Sequence, residues 1–296
     1  MDVKEYKIAG HTMRIEGASL VNVMSALEGF APFAVEPGME SPVVTVTCQG
    51  TDMMIVPKCE RECFVFDSDD VLSTFGETSD GFIFLMAPQY GKDEPLCLWC
   101  KRGDSIMYVK GHLEGGPMTE RLVRFALWIA YGLATVRKQT IAIHTSTIQY
   151  KDKAVLFLGE SGTGKSTHTR LWRENIDGAI LLNDDSPIVR YVDGKMWVYG
   201  SPWSGKTPCY KNEQYELAGC VRLSQAPYNK IRKLRTIEAF AAIHPSCPPD
   251  FAYSDYLYDG ISETLDVMLQ VSPFYHLECL PNAEAAYLSC KTIFGE

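Results

Sequence analysis

No apolar run in this chain is long enough to cross a bilayer. The longest, residues 125–136, has twelve residues and is flanked by Arg121, Arg124 and Arg137. A spanning helix needs roughly 20 such residues, so this one reads as a helix buried between layers. Positive charge is also scarce: 28 Lys and Arg stand against 37 Asp and Glu, a net charge of −9. That balance argues against nonspecific binding to nucleic acid or to anionic membrane, both of which require basic surfaces. Residues 1–5 lack the apolar core of a secretory signal, and a cytoplasmic location is expected. Clustered cysteine is missing too. Ten cysteines are scattered along the chain, with Cys59/Cys63 and Cys97/Cys100 the close pairs. Positions three apart in a strand point to opposite faces, so Cys97 and Cys100 make a poor metal clamp. Reduced core cysteines are expected instead. No long repeat and no low-complexity segment is present.

What is there has the balance of a folded protein, 46% hydrophobic and 22% charged over 296 residues, enough for two ordinary domains. Residues 1–117 read as β-rich. Runs at 43–48, 63–66, 81–85, 96–100 and 105–109 predict a meander, with one helix near 18–27. No Ser, His or carboxylate cluster there suggests chemistry, so the segment reads as structural or substrate-shaping. The glycine-rich stretch 111–117 marks the expected boundary, giving domains of 1–117 and 118–296. The second opens with a helix capped by Thr119 and running to about Lys138. Strands follow at 141–144, 147–150 and 154–158, the last two joined by a tight turn at Lys151-Asp152-Lys153. The third is a continuous apolar run, as expected for a strand buried on both faces.

Directly after that run stands Gly159-Glu160-Ser161-Gly162-Thr163-Gly164-Lys165-Ser166. The spacing fits the P-loop pattern, in which glycines let backbone N–H groups curl around phosphate oxygens. Lys165 is expected to reach the outer phosphates of ATP and Ser166 to coordinate Mg²⁺. Ser166, Thr167 and the residues behind them can run as a helix whose N-terminal dipole faces the anion. A second match, Gly200-Ser201-Pro202-Trp203-Ser204-Gly205-Lys206-Thr207, is followed by Pro208 and by no helical stretch. It is therefore not a second ATP site. Two readings stand: an ordinary glycine loop, or a loop bringing Lys206 to the transferring phosphoryl group.

An apolar strand at 179–183 ends in Asp184-Asp185. A carboxylate in that position downstream of a P-loop is where such enzymes bind Mg²⁺. With two acids, one can hold the metal and the other accept a proton from the attacking hydroxyl. The competing reading is a turn, for which Asp-Asp-Ser-Pro is suited. His144, ahead of the P-loop strand pair, could face the γ-phosphate or the metal, and His168 reads as a first-turn helix residue.

His144, a strand-turn-strand, the P-loop and then Asp184-Asp185 resemble, in that order, the catalytic domain of HPr kinase/phosphorylase. The wider group is the phosphoenolpyruvate carboxykinase-like P-loop fold. The resemblance covers roughly residues 141–234. It implies an α/β (α+β) chain: a carboxykinase-like P-loop domain with a mixed sheet, preceded by a smaller β-rich domain. It further implies a histidine near the phosphates and an aspartate pair serving as metal ligand and base. By the same likeness Arg232, within the stretch 229–234, approaches the nucleotide, and the chain self-associates. The Glu-Ile-Arg signature that HPr kinases carry after the acidic pair is replaced by the stretch 200–206. The acceptor is thus left open between a small-molecule hydroxyl and a protein serine. The expected activity is phosphoryl transfer from ATP with Mg²⁺. Its rivals are a carboxykinase-like lyase and an ATP-binding regulatory module without turnover.

Overall fold

The computed structural model describes residues 2–68, 70–90, 94–205 and 207–295. The chain divides into two compact units: Met1–Arg137 with Asp250–Tyr258, and Lys138–Pro249 with Asp259–Glu296. Each contains a nine-stranded mixed sheet, so the class is α+β.

In the first unit a hairpin of β1 (Val3–Ile8) and β2 (His11–Glu16) leads to helix α1 (Ala18–Met24), β3 (Ala34–Val35) and β4 (Val44–Thr47). A meander follows: β5 (Arg61–Ser68), β6 (Val71–Glu77), β7 (Gly81–Pro88), β8 (Leu96–Lys101) and β9 (Ile106–Lys110). The sheet order is β3-β1-β2-β4-β9-β8-β7-β6-β5, with β4 parallel to both its neighbours. Helix α2 (Pro117–Thr135) packs on β4, β7 and β8. It starts at Pro117 behind Gly116, two residues before the expected Thr119 cap, because proline fits the first helical position. Its apolar face (Leu122, Val123, Ala126, Leu127, Ile129, Ala130) is buried in this first unit. The division accordingly falls at 137/138 and not at the expected 117/118. The glycines at 111, 115 and 116, all at positive φ, turn the chain onto the sheet. The longest apolar run lies inside α2 but for its last residue, and no helix among the described residues is long and apolar enough to cross a membrane.

Residues 250–258 complete this unit from far along the chain. Phe251 is 1% exposed and packs at a tilt against Phe75, ring centroids 5.7 Å apart. Ser254 Oγ donates to Glu77 Oε1 at 2.7 Å, and Arg61 Nη1 to the Tyr253 carbonyl at 3.0 Å.

The second unit runs β10 (Thr140–Ala142), β11 (Thr145–Tyr150), β12 (Lys153–Leu158), α3 (Lys165–Asn175), β13 (Ile180–Asp185), β14 (Ile188–Val192), β15 (Lys195–Tyr199), β16 (Gln214–Gln225) and β17 (Lys230–Lys233). It continues through α4 (Thr236–Ile243), the part of α5 (Asp255–Val271) from Asp259 on, β18 (Phe274–Cys279) and α6 (Ala283–Phe294). The order is β10-β14-β15-β16-β12-β11-β13, with β18 and β17 continuing from the far end of the long β16. β12 and β18 lie parallel to β16, and the other pairings are antiparallel. Residues 154–158 are all fully buried, as the continuous apolar run predicts. On one face Phe157, Val221, Leu223 and Leu277 pack beneath Trp172 of α3 and Ala286 of α6.

Candidate functional site

β12 delivers the chain at Leu158 to the glycine loop, and α3 begins at Lys165. Gly162 (φ 82°) and Gly164 (φ 103°) adopt backbone that disfavours side chains, and a Cβ on Gly159 would strike the Thr163 hydroxyl. That hydroxyl donates to the Glu160 carbonyl at 2.8 Å and closes the loop. The first turn of α3 presents N–H groups without intrahelical acceptors at the positive end of its dipole. Lys165 Nζ donates to the carbonyls of Gly159 (2.7 Å) and Glu160 (3.3 Å). Burial pushes its pKa below the usual lysine value, partly offset by the charges of Asp185 and Asp184.

The acidic pair reaches this loop through strand order. β13 pairs with β11, placing Asp184 opposite Ser146 and Asp185 opposite Thr145, beside the β11–β12 hairpin. Asp184 is 8% exposed and accepts a hydrogen bond from Ser166 Oγ at 3.1 Å. Asp185 pairs through Oδ1 with His144 Nδ1 at 3.1 Å, and Ser186 Oγ donates to its other oxygen at 3.3 Å. β10 stops at Ala142, so His144 sits in the connection to β11, where its N–H is tied to the Ser246 carbonyl at 2.7 Å. The spacing that predicts a strand to residue 144 overshoots by two residues.

The second glycine loop comes to the same place. Gly205 N–H donates to the Asp184 carbonyl at 3.0 Å, and Ser204 bridges Asp185. A Cβ on Gly205 would sit 2.6 Å from that carbonyl, so glycine permits the approach. No helix follows; the next element is β16. Lys206 lies outside the described residues.

Asn183, which sequence reasoning passed over, holds both parts together. Its Oδ1 accepts from the N–H groups of Asp185 (3.1 Å) and Ser186 (2.9 Å), and its Nδ2 donates to the Trp203 carbonyl (3.1 Å). The local signal was an Asn two residues ahead of a turn.

Arg232 is not brought to the loop. It stands on β17, three strands from β12, and pairs with Glu238 of α4 at 3.0 Å. The arginine at the loop is Arg222 of β16, whose Nη2 lies 3.7 Å from the Glu160 carboxylate. Beside the loop opens a cavity of about 620 Å³, lined among others by Thr163, Thr167, Leu171, Leu223, Gln225 and Leu280. Gln225 Nε2 donates across to the Gly162 carbonyl at 3.4 Å. His168 lies at the wall of that cavity but is itself 2% exposed, with Nε2 3.1 Å from Ser289 Oγ of α6.

A buried carboxylate and a hydroxyl make an all-oxygen donor pair suited to Mg²⁺. Among the described residues no group of three or more His, Cys, Asp or Glu could enclose a metal alone. Mg²⁺ that shares phosphate oxygens needs only one or two protein carboxylates. No protein-family profile matches the chain, and no curated protein matches it in sequence.

Proposed function

We propose that the second unit binds ATP with Mg²⁺ and transfers the γ-phosphoryl group to an acceptor hydroxyl, and that it is a carboxykinase-like P-loop domain of the HPr kinase kind. The observation that carries the reading is the 3.1 Å contact between Ser166 and Asp184. It joins the two motifs, eighteen positions apart, that phosphoryl transfer requires at one metal. The mixed sheet and the hairpin directly before the loop support the fold assignment.

The loop amides and Lys165 hold the outer phosphates, and Gly159 to Thr167 line them. The adjoining cavity falls in the usual range of ligand sites, roughly 300–1,000 Å³, and takes the nucleoside. Mg²⁺ held by Ser166 and Asp184 would neutralise charge on the β- and γ-oxygens. Asp185 accepts the acceptor hydroxyl's proton, the freed oxygen attacks the γ-phosphorus, and the bond to the β-bridging oxygen breaks to release ADP. His144, on the same carboxylate, fixes the base and faces the moving charge.

The test is a screen of hydroxyl-bearing small molecules and cell lysate with γ-labelled ATP, run beside variants. Lys165→Ala is expected to abolish ATP binding. Asp185→Asn should keep binding while transfer falls about 10²–10⁴-fold. Binding retained in Lys165→Ala, or full transfer in Asp184→Asn and Asp185→Asn, overturns the assignment. Tight ATP binding with no transfer to any acceptor favours the regulatory module.

A further inference from the structure

Glu160 is the residue of the loop that phosphate binding does not explain. A carboxylate repels the anion that the loop amides, Lys165 and the α3 dipole attract. In this structure, however, it engages two cations. Its carbonyl accepts from Lys165 Nζ at 3.3 Å, and its carboxylate lies 3.7 Å from Arg222 Nη2.

The position of Arg222 is fixed by pairing. β16 runs parallel to β12 with Arg222 opposite Leu158, the residue immediately before the loop. The strand register therefore holds Arg222 beside the loop, leaving its side chain free to turn. The hold on it is loose. Its side chain is 30% exposed, that of Glu160 79%, and 3.7 Å exceeds hydrogen-bond range. Exposed pairs of this kind contribute little, so little opposes exchange. A phosphate offers the same guanidinium charge-assisted, bidentate bonds. Arg232, in the same cross-strand row beyond His276, differs: its 3.0 Å pair with Glu238 is a good one.

We propose that Arg222 is a phosphate-binding residue of the nucleotide site, which exchanges Glu160 for the outer phosphate oxygens of a nucleoside triphosphate, and that Glu160 tunes affinity by competing for it. This rests on the nucleotide reading above. The exchange makes and breaks no covalent bond.

Calorimetric titration of the full chain with Mg·ATP tests it, using wild type, Arg222→Gln, Arg222→Lys and Glu160→Gln. Arg222→Gln should weaken ATP binding about 10–100-fold, with Arg222→Lys intermediate. Glu160→Gln should move the other way, tightening ATP severalfold. A purely structural ion pair gives a different result, since loss of either half then shifts the thermal midpoint alike and leaves no opposed affinities. The proposal fails if both Arg222 variants bind as wild type, or if Glu160→Gln weakens binding as Arg222→Gln does. Wild type that binds no ATP removes the nucleotide reading itself. Lys165→Ala is the control that separates the two failures: wild type binds, Lys165→Ala does not, and Arg222→Gln is unchanged.

Discussion

His168 begins three residues into α3 and is nearly adjacent to Ser166, yet its chemistry is that of the interior. Trp172 Nε1 donates to Ser289 Oγ at 2.9 Å and approaches His168 Nε2 at 3.3 Å, so the imidazole serves as a neutral acceptor linking α3 to α6. Burial lowers its pKa from 6.5 to about 4. The unfolded chain therefore takes up a proton first as pH falls, and the folded state resists it until about pH 4. Stability present above pH 6.5 should be lost progressively down to pH 4, by about 3 kcal/mol in all. Urea unfolding across that range should show a shallower slope in His168→Gln; equal slopes count against the argument. Residues of the loop were legible because glycine spacing has a direct backbone cause. Arg222 was not, since a lone arginine within a strand has no local mark. Only the parallel register of two strands more than fifty positions apart in the chain sets it beside Glu160.

Among the elements, the β11–β12 hairpin places the loop and holds β13, with its two aspartates, at its other edge. Its turn residues Lys151 (φ 47°) and Asp152 (φ 57°) are both left-handed, the geometry of a two-residue primed turn that prefers Asn-Gly. Lys151→Asn with Asp152→Gly should stabilise the protein by about 0.5–1 kcal/mol, read as a rise in the urea midpoint at constant slope. An unchanged or lowered midpoint shows that the turn is not strained. Apolar strands such as 154–158 and 81–85 could be read directly. β1 escaped because it carries Lys4, Glu5 and Lys7 in six residues. Glu5 is nonetheless buried, bonded by Arg14 Nε at 2.7 Å and the Gly38 N–H at 3.0 Å. The cation that neutralises this charge stands opposite it on the next strand of the hairpin, a cross-strand pairing that periodicity along one strand does not report. The acidic pair shows the opposite case, since its turn-like sequence and its contact with the loop are both present, Asn183 making the turn.

At the scale of the molecule, glycine-rich composition at 111–117 suggested a boundary that the burial of α2 moves to 137/138. A fragment ending at residue 117 lacks Leu122, Val123, Leu127 and Ile129, all buried. Removing them strips the sheet of its cover, at about 1.5–3 kcal/mol for each such side chain. The 1–117 fragment should show no cooperative thermal transition by circular dichroism, whereas the whole chain should; a sharp transition in the fragment restores the earlier boundary. Composition cannot report this, because a glycine-rich turn and a glycine-rich linker share one vocabulary. The return of residues 250–258 to the first unit has a consequence for synthesis on the ribosome. Translation proceeds at about 5–20 residues per second, and Phe251, which seals the aromatic cluster around Phe75, is made only after the whole stretch 138–249. The first-made sheet therefore waits, for several seconds and with that cluster open, while the second unit emerges behind it. The aromatic cluster is completed only after most of the second unit has been made, so the order of folding cannot simply follow the order of translation.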